Sequence, residues 1–220
     1  MGGVNLSDAN KLRIAQIQPH SSIYGPGLRT VIWTQGCTLA CPGCWNTDLW
    51  SETGGQLRTV ADVHSQLMQI EDVEGITLLG GEPLQQSEAV LELINLQRAE
   101  GRSIMLYTGY EMGELDDVQV ACIDASDIAI MGRYDQEQRD VTLRWRGSRN
   151  QTVLYPAGKY TPDVLVDGER EVEVRIDQEG KLNVVGYPDL DVLDDILSQL
   201  TPVPEKGTSK IAVRTLRSEG

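Results

Sequence analysis

Residues 28–45 read Leu28-Arg-Thr-Val-Ile-Trp-Thr-Gln-Gly-Cys37-Thr-Leu-Ala-Cys41-Pro-Gly-Cys44-Trp45. Leu28–Gln35 is rich in β-branched and aromatic residues and predicts a β-strand. Three cysteines follow in one short turn, just past the end of that strand, where α/β folds build their sites. A structural zinc ion takes four protein ligands, whereas three thiolates hold an iron–sulfur cube and leave one iron open. The spacing therefore predicts that one turn presents three sulfurs to one metal centre.

Further motifs flank this turn in a fixed order. Gly25-Pro-Gly-Leu-Arg29 precedes it, and Thr77-Leu-Leu-Gly-Gly-Glu-Pro83 follows about one strand–helix unit later. Tyr107-Thr-Gly-Tyr110, Gly132-Arg-Tyr134 and Arg146-Gly-Ser-Arg-Asn-Gln151 come after them. Over roughly residues 12–155 this series resembles the radical S-adenosylmethionine (SAM) superfamily. Within it, the series resembles the activating proteins of anaerobic (class III) ribonucleotide reductase, a family related to pyruvate formate-lyase activating enzyme.

The resemblance implies a cofactor set and a reaction. Cys37, Cys41 and Cys44 are expected to hold a [4Fe–4S] cluster whose open iron binds SAM. A flavodoxin-like or other low-potential donor is expected to drive SAM cleavage to methionine and a 5′-deoxyadenosyl radical. That radical takes a hydrogen atom from a glycine Cα of the partner, anaerobic ribonucleotide reductase. No catalytic residue beyond the cluster is expected, and the predicted SAM contacts are Gly43, Trp45, Gly80, Gly81, Glu82, Thr108, Gly109, Ser148 and Asn150.

Structural interpretations compete with each of these assignments. The Gly80–Pro83 and Thr108-Gly109 segments are also typical of ordinary turns between a strand and a helix, and a lone Trp is more often a core residue. Arg133 or Arg146 is a candidate partner for the SAM carboxylate. A zinc site would need Cys122, His20 or His64 as its fourth ligand, and none lies in a second C-x2-C knuckle. Cys122 is expected to be a buried core thiol.

Composition narrows the class of protein. The net charge of −14 argues against nucleic-acid binding, which needs clustered cations. The Arg133–Arg149 stretch carries five arginines, which either face an anionic ligand or partner or are solvated singly. No apolar run approaches the ~20 residues of a membrane span, and the clustered cysteines without a signal peptide predict a reducing cytosol. We therefore expect a soluble, cytoplasmic protein.

The alternation of strands and helices predicts an α/β fold with a parallel sheet, followed by a small C-terminal β-meander and a helix. The resemblance implies that the sheet is a partial (β/α)6-type radical SAM barrel. Residues 1–156 would form the barrel domain with about five or six strand–helix units, 157–200 the appendage and 201–220 a flexible tail. Such a barrel leaves a lateral opening that suits a protein substrate. The predicted barrel strands are Lys11–Gln18 (an edge or pre-barrel strand), Leu28–Gln35, Gly75–Leu79, Ser103–Tyr107, Ser126–Met131, Val141–Trp145 and Gln151–Tyr155. The predicted helices are Val60–Glu71, Gln86–Gly101, Met112–Ala125 and Leu190–Leu200, and the meander strands are Val164–Val166, Val172–Ile176 and Leu182–Val185.

Three functions follow from these features. The first is an activase that installs a glycyl radical on anaerobic ribonucleotide reductase. The second is a radical SAM enzyme of the same ancestry that modifies a ribosomal peptide or a small molecule, which the C-terminal meander keeps open. The third is a non-catalytic iron–sulfur or zinc module, against which the intact Gly-Gly-Glu-Pro segment counts.

Overall fold

A seven-stranded mixed sheet forms the centre of the computed structural model, which describes residues 10–165, 172–176 and 182–186. The order across the sheet is β3-β1-β2-β4-β5-β6-β7. Strands β2, β4, β5 and β6 run parallel, while β1, β3 and β7 pair in antiparallel fashion. Their bounds are β1 (Lys11–Ser21), β2 (Arg29–Thr34), β3 (Gln56–Thr59), β4 (Gly75–Gly80), β5 (Ser103–Thr108), β6 (Ile128–Met131) and β7 (Thr152–Leu154).

Three helices connect the parallel strands and cover one face of the sheet. They are α1 (Val60–Met68), α2 (Ser87–Ala99) and α3 (Asp117–Asp124). Thr59 caps α1, because its hydroxyl accepts a hydrogen bond from the Asp62 amide at 3.1 Å, as the sequence predicts. The first two helices follow the predicted pattern closely. The third begins only at Asp117, since Met112–Glu114 forms a separate 3-10 turn.

Both faces of the central strands are buried, which explains their continuous apolar runs. In β5, Ile104 and Leu106 pack under the helices, whereas Met105 and Tyr107 belong to the clusters on the opposite face. That opposite face is covered near β5 and β6 by aromatic and aliphatic side chains from later in the chain, namely Trp145, Tyr155, Tyr160, Val164 and Leu165. The sheet is therefore the middle layer of the fold, with helices on one side and loops on the other.

The structure corrects several predicted elements. Four parallel strands linked by three helices replace the five or six strand–helix units. The first strand is internal, because β3, which is not among the predicted strands, pairs outside it as the edge. Val141–Trp145 is a run of turns: the Asp140 carboxylate accepts from both the amide and the hydroxyl of Thr142, and Trp145 has a φ of 62°.

The C-terminal part forms a hairpin rather than the predicted three-stranded meander. Strands β8 (Val172–Ile176) and β9 (Leu182–Gly186) pair in antiparallel fashion, as predicted, but Val164 lies in a 3-10 turn. Val166, the Leu190–Leu200 helix and the 201–220 tail lie outside the described residues. The domain boundary at residue 156 stays a prediction.

The hairpin rests against the end of β1. Glu173 accepts hydrogen bonds from the Ser21 hydroxyl at 2.6 Å and from the Gln18 amide at 3.4 Å. The Tyr24 hydroxyl bonds to the backbone of Gly186, and burial raises the pKa of Tyr24 to about 12. These contacts tie residues 172–186 to the start of the sheet. Among the described residues, no helix is long and apolar enough to cross a membrane.

Candidate cluster and cofactor site

The carboxyl ends of the parallel strands bring the sequence motifs to one edge of the sheet. Strand β2 leads into the cysteine turn, β4 into Gly81-Glu82-Pro83, β5 into Gly109-Tyr110 and β6 into Gly132-Arg-Tyr134. Because parallel neighbours end side by side, segments far apart in sequence become adjacent here. The edge so formed is the candidate site.

Backbone hydrogen bonds fix the start of the cysteine turn. The Gly36 amide donates to the Leu49 oxygen at 2.9 Å, and the Cys37 amide donates to the Trp50 oxygen at 3.0 Å. Farther along, the Cys44 amide donates to the Cys41 oxygen at 3.1 Å and closes a small loop. The turn is thus anchored at Cys37 and folds back on itself before Cys44.

The cysteine turn presents three thiols at the candidate site. Cys37, Cys41 and Cys44 are free and half-buried, and the Asn46 amide donates to the Cys44 sulfur at 3.4 Å. Burial raises the pKa of the Cys37 and Cys41 thiols, whereas a bound metal favours the thiolate form of a cysteine. In the described ranges no three Cys, His, Asp or Glu side chains converge on one ion. Thiolates that each bind a different iron of a cluster need no such convergence.

The alternative zinc ligands are engaged elsewhere. Cys122 is buried on the helical side, its thiol donates to the Ser87 oxygen at 3.4 Å, and burial raises its pKa to about 12. His64 bonds to Gln97 at 2.8 Å, and His20 lies 3.1 Å from the Glu71 oxygen. Cys122 is therefore the core thiol that the sequence predicts.

Two glycines allow the Gly-Gly-Glu-Pro segment to touch the cysteine turn. Gly80 has a φ of 118°, and a Cβ there would lie 2.6 Å from backbone atoms of Thr34. A Cβ on Gly81 would overlap the Gly36 oxygen. The Gly81 amide donates to the Thr34 oxygen and the Glu82 amide to the Gly36 oxygen, each at 2.8 Å. Both glycines are needed for this close approach of two loops.

Glu82 joins the ends of β4 and β5. Its carboxylate is only 2% exposed and accepts from the Leu84 amide at 2.9 Å, the Thr108 hydroxyl at 2.9 Å and the Gly109 amide at 2.7 Å. Burial raises the pKa of Glu82 to about 7. Its SAM contact stays a prediction, and its observed partners are protein groups.

The Thr108–Tyr110 segment lies beside the cysteine turn. Thr108 is 4% exposed, and its hydroxyl oxygen accepts from the Tyr110 amide at 3.1 Å while donating to Glu82. A Cβ on Gly109 would lie 2.5 Å from the Leu39 side chain, within the cysteine turn. The structure thus brings Gly109 to the predicted site, whereas the Thr108 side chain points into protein contacts.

Ser148 and Asn150 support the loop after β6. They precede β7 in a turn instead of starting a strand. The buried Ser148 hydroxyl accepts from the Asp135 amide at 3.1 Å, and the exposed Asn150 amide donates to the Arg133 oxygen at 2.9 Å. Arg133 itself forms a two-pronged ion pair with Glu114 at 2.7 and 2.8 Å, which lowers the pKa of Glu114 to about 2.

Gly43 and Trp45 lie against the loop that follows β6. Gly43 has a φ of 73°, and a Cβ there would overlap the Gln136 side chain. The Arg139 guanidinium lies 5.6 Å from the centroid of the Trp45 ring, a cation–π distance. A pocket of ≈660 Å³ adjoins this loop and is lined by Pro42, Tyr134, Asp135, Gln136 and Glu137. No sequence motif indicated Gln136 at this position.

The chain is similar in sequence to known proteins over most of the residues that the structure describes. A family described as 4Fe-4S single cluster domain matches residues 23–154. The chain is 36% identical over 146 residues to the anaerobic ribonucleoside-triphosphate reductase-activating protein of Escherichia coli K12, covering 63% of this chain and 95% of that protein. The protein of the same name from Vibrio cholerae is 35% identical over 146 residues (63% and 94% covered). That of Enterobacteria phage T4 is 34% identical over 145 residues (63% and 90%).

A solved structure, that of QueE from Escherichia coli, matches with a TM-score of 0.39 and 16% identity over 53% of this chain and 69% of that chain, too slight a likeness to support any inference. The sequence matches are sufficient to assign the family of this chain. The chain carries a 4Fe-4S single cluster domain. More particularly, it belongs to the family of the anaerobic ribonucleoside-triphosphate reductase-activating proteins.

Proposed function

We propose that this chain is a radical SAM enzyme that generates a glycyl radical on anaerobic ribonucleotide reductase. The observation that carries the proposal is the contact of the cysteine turn with the Gly-Gly-Glu-Pro segment, through Gly81–Thr34 and Glu82–Gly36 hydrogen bonds of 2.8 Å. Similarity over nearly the whole length of relatives named for reductase activation supports the same partner. A radical SAM enzyme needs these two segments side by side, because SAM must reach both the cluster and an amino-group site.

In this proposal Cys37, Cys41 and Cys44 would hold the cluster, and residues at the carboxyl edge of the parallel strands would bind SAM. When bound and reduced, the cluster would supply the electron that cleaves SAM, which would allow a hydrogen atom to be taken from a glycine of the partner. Gly81 and Gly109 allow the loops after β4 and β5 to lie against the cysteine turn, because a side chain on either would overlap Gly36 or Leu39. Glu82 holds the ends of β4 and β5 together, so that their loops keep one spacing.

The remaining predicted contacts have supporting roles in this scheme. Trp45 and Gly43 border the adenine side under the 134–139 loop, while Gly80, Thr108, Ser148 and Asn150 shape the rim. The sheet, whose order begins at β3 and ends at β7, is proposed to be a partial barrel that admits a glycine-bearing loop of the partner. A low-potential donor of the flavodoxin type is proposed as the electron source.

Cluster ligation gives the first test. Anaerobically reconstituted protein should bind about four irons and four sulfides. Replacing Cys37, Cys41 or Cys44 by Ala should abolish this binding, while Cys122→Ala, on the helical side, is the matched control and should retain it. Stoichiometric zinc without iron in anaerobically purified protein would contradict the proposal.

The partner gives the second test. Mixing reduced enzyme, SAM and a class III reductase should yield 5′-deoxyadenosine and a doublet electron-resonance signal, which collapses to a singlet when glycine is α-deuterated. Deoxyadenosine without a glycyl signal would favour instead an enzyme that modifies a peptide or small molecule. That second candidate rests on the 37% of the chain outside the match to the curated relatives, since their match covers 63%.

A further inference from the structure

Two consecutive glutamines after the Gly-Gly-Glu-Pro segment bracket the first cysteine. The Gln86 amide donates to the Gln35 oxygen at 3.2 Å, on the N-terminal side of Cys37. The Gln85 oxygen accepts from the Thr38 amide at 3.1 Å, and the Gln85 nitrogen donates to the Thr38 hydroxyl at 2.6 Å, on its C-terminal side. The bonds between Gln85 and Thr38 join two residues that lie 47 positions apart in sequence.

Gln85 also connects the cysteine turn to the end of β5. Its nitrogen makes a second hydrogen bond, to the Tyr110 hydroxyl at 3.1 Å, and its own backbone amide donates to the Glu82 oxygen at 3.1 Å. The side-chain amide thus uses its oxygen once and its nitrogen twice. Three segments of the candidate site meet at this one side chain.

The other two cysteines are held differently. Cys41 and Cys44 lie in a stretch that contains two residues of positive φ, Ala40 at 45° and Gly43 at 73°. Their turn closes on itself through the Cys44–Cys41 hydrogen bond and the Asn46–Cys44 contact. Cys37 is held by its amide bond to the Trp50 oxygen and by the bonds of Gln86 to Gln35 and of Gln85 to Thr38 on its two sides.

We propose that Gln85 is a positioning residue that sets Cys37 relative to the SAM-binding loop. It acts through its hydrogen bonds to Thr38, the residue that follows Cys37. The inference rests on the proposed function, because it assumes that Cys37 ligates the cluster. Groups that orient a ligand through hydrogen bonds change the affinity for the metal when they are removed.

The same geometry links SAM binding to the cluster. Gln85 lies in the 3-10 turn Pro83–Gln86, which directly follows Glu82. The Gln85 side chain joins that turn to Thr38 through two hydrogen bonds. We therefore expect its removal to change the response of the reduced cluster to SAM.

The test compares holoenzyme variants that fold alike by circular dichroism. Gln85→Met removes the hydrogen bonds at similar size, and Gln85→Glu keeps an acceptor for the Thr38 amide and hydroxyl. Thr38→Val, at an exposed position, removes one bond without altering the turn. Gln119→Met is the matched control, because Gln119 donates to the oxygen of Leu84 in the same turn at 2.9 Å, while its other hydrogen bonds go to Asp116 and not to the cysteine turn.

Two readouts that do not depend on turnover are measured: the rate of iron loss to a chelator, and the electron-resonance spectrum of the reduced cluster with and without SAM. Gln85→Met should lose iron about tenfold faster than wild type and show a weakened SAM-induced spectral change. Thr38→Val should change both in the same direction by less, while Gln85→Glu and Gln119→Met should resemble wild type.

Wild-type behaviour of Gln85→Met, or equal iron loss from Gln119→Met, overturns the positioning role while the proposed function stands. A wild-type chain that binds no four-iron cluster overturns the proposed function and this inference together.

Discussion

Replacing Glu82 by Gln should change how the stability of the cluster-free protein depends on pH. Burial raises the pKa of this carboxyl from 4.5 to about 7, so the native state holds a proton that the unfolded chain releases. The associated stability is fully present below about pH 4.5 and is lost as the pH rises through about 7. Between about pH 5 and pH 8 the loss amounts to about 2–3 kcal/mol. A glutamine side chain cannot ionise, so the Glu82→Gln variant lacks this loss.

The assay is urea unfolding of both proteins under reducing, metal-free conditions across that pH range. The free energy of unfolding of wild type minus that of Glu82→Gln should fall by about 2–3 kcal/mol from the acid to the alkaline end. A difference in the free energy of unfolding that does not depend on pH is also expected, because the NH2 group of the new glutamine would face a hydrogen-bond donor. Glu88→Gln, at an exposed position in the first turn of α2, controls for removal of a carboxylate. Parallel curves for wild type and Glu82→Gln would refute the reasoning.

Three further substitutions probe the rest of the fold. Arg29→Met should lower the free energy of unfolding in urea by about 3–5 kcal/mol, because the fully buried Arg29 guanidinium donates hydrogen bonds of 2.6–3.2 Å and their acceptors would be left buried without a partner. A decrease below about 1 kcal/mol would contradict this prediction. Gly81→Ala should lower the free energy of unfolding by about 1–3 kcal/mol and slow cluster reconstitution, since the new Cβ would overlap a backbone oxygen. Gly113→Ala is the control and should leave the stability unchanged, because a Cβ there would have no atom within 4 Å. Equal losses of stability in the two variants would be inconsistent with the predicted overlap. Arg133→Met should leave the thermal midpoint unchanged within error, because its ion pair with Glu114 is exposed to solvent, and a clear drop would show that the pair matters more than its exposure implies.

Local signals predicted much of the sheet and its helices. The Thr59 cap and the apolar periodicity that follows it define α1, and the short apolar runs before Gly80 and Thr108 define β4 and β5. Strand β3 carried no such signal, because its four residues are exposed or half-buried and are held by pairing with β1. For Val141–Trp145 the local pattern predicts a strand that does not form. The Asp140 side chain accepts a hydrogen bond from the Thr142 amide and stabilises a turn there.

At the candidate site, too, local sequence signals predicted some features, while contacts between distant segments became visible only with the fold. Spacing indicated the three cysteines, and the family resemblance indicated the glycine pair, since both motifs are local in sequence. The role of Gln85 depends on contact with Thr38 across two loops, which no local pattern encodes. Ser148 and Asn150 lie in the loop region beside Arg133 and Asp135, but their hydrogen-bond partners became visible only with the fold.

The docking of the C-terminal hairpin onto β1 has a consequence for biosynthesis. Ser21 leaves the ribosome well before its partner Glu173, which lies 152 positions later. The parallel strands up to β6 and their helices can therefore pair and pack while the hairpin is still being translated, since chains fold from the N-terminus as they emerge. Until then the Ser21 hydroxyl and the Gln18 amide lack their Glu173 acceptor. Attachment of the hairpin to β1 can therefore follow the pairing of the parallel strands.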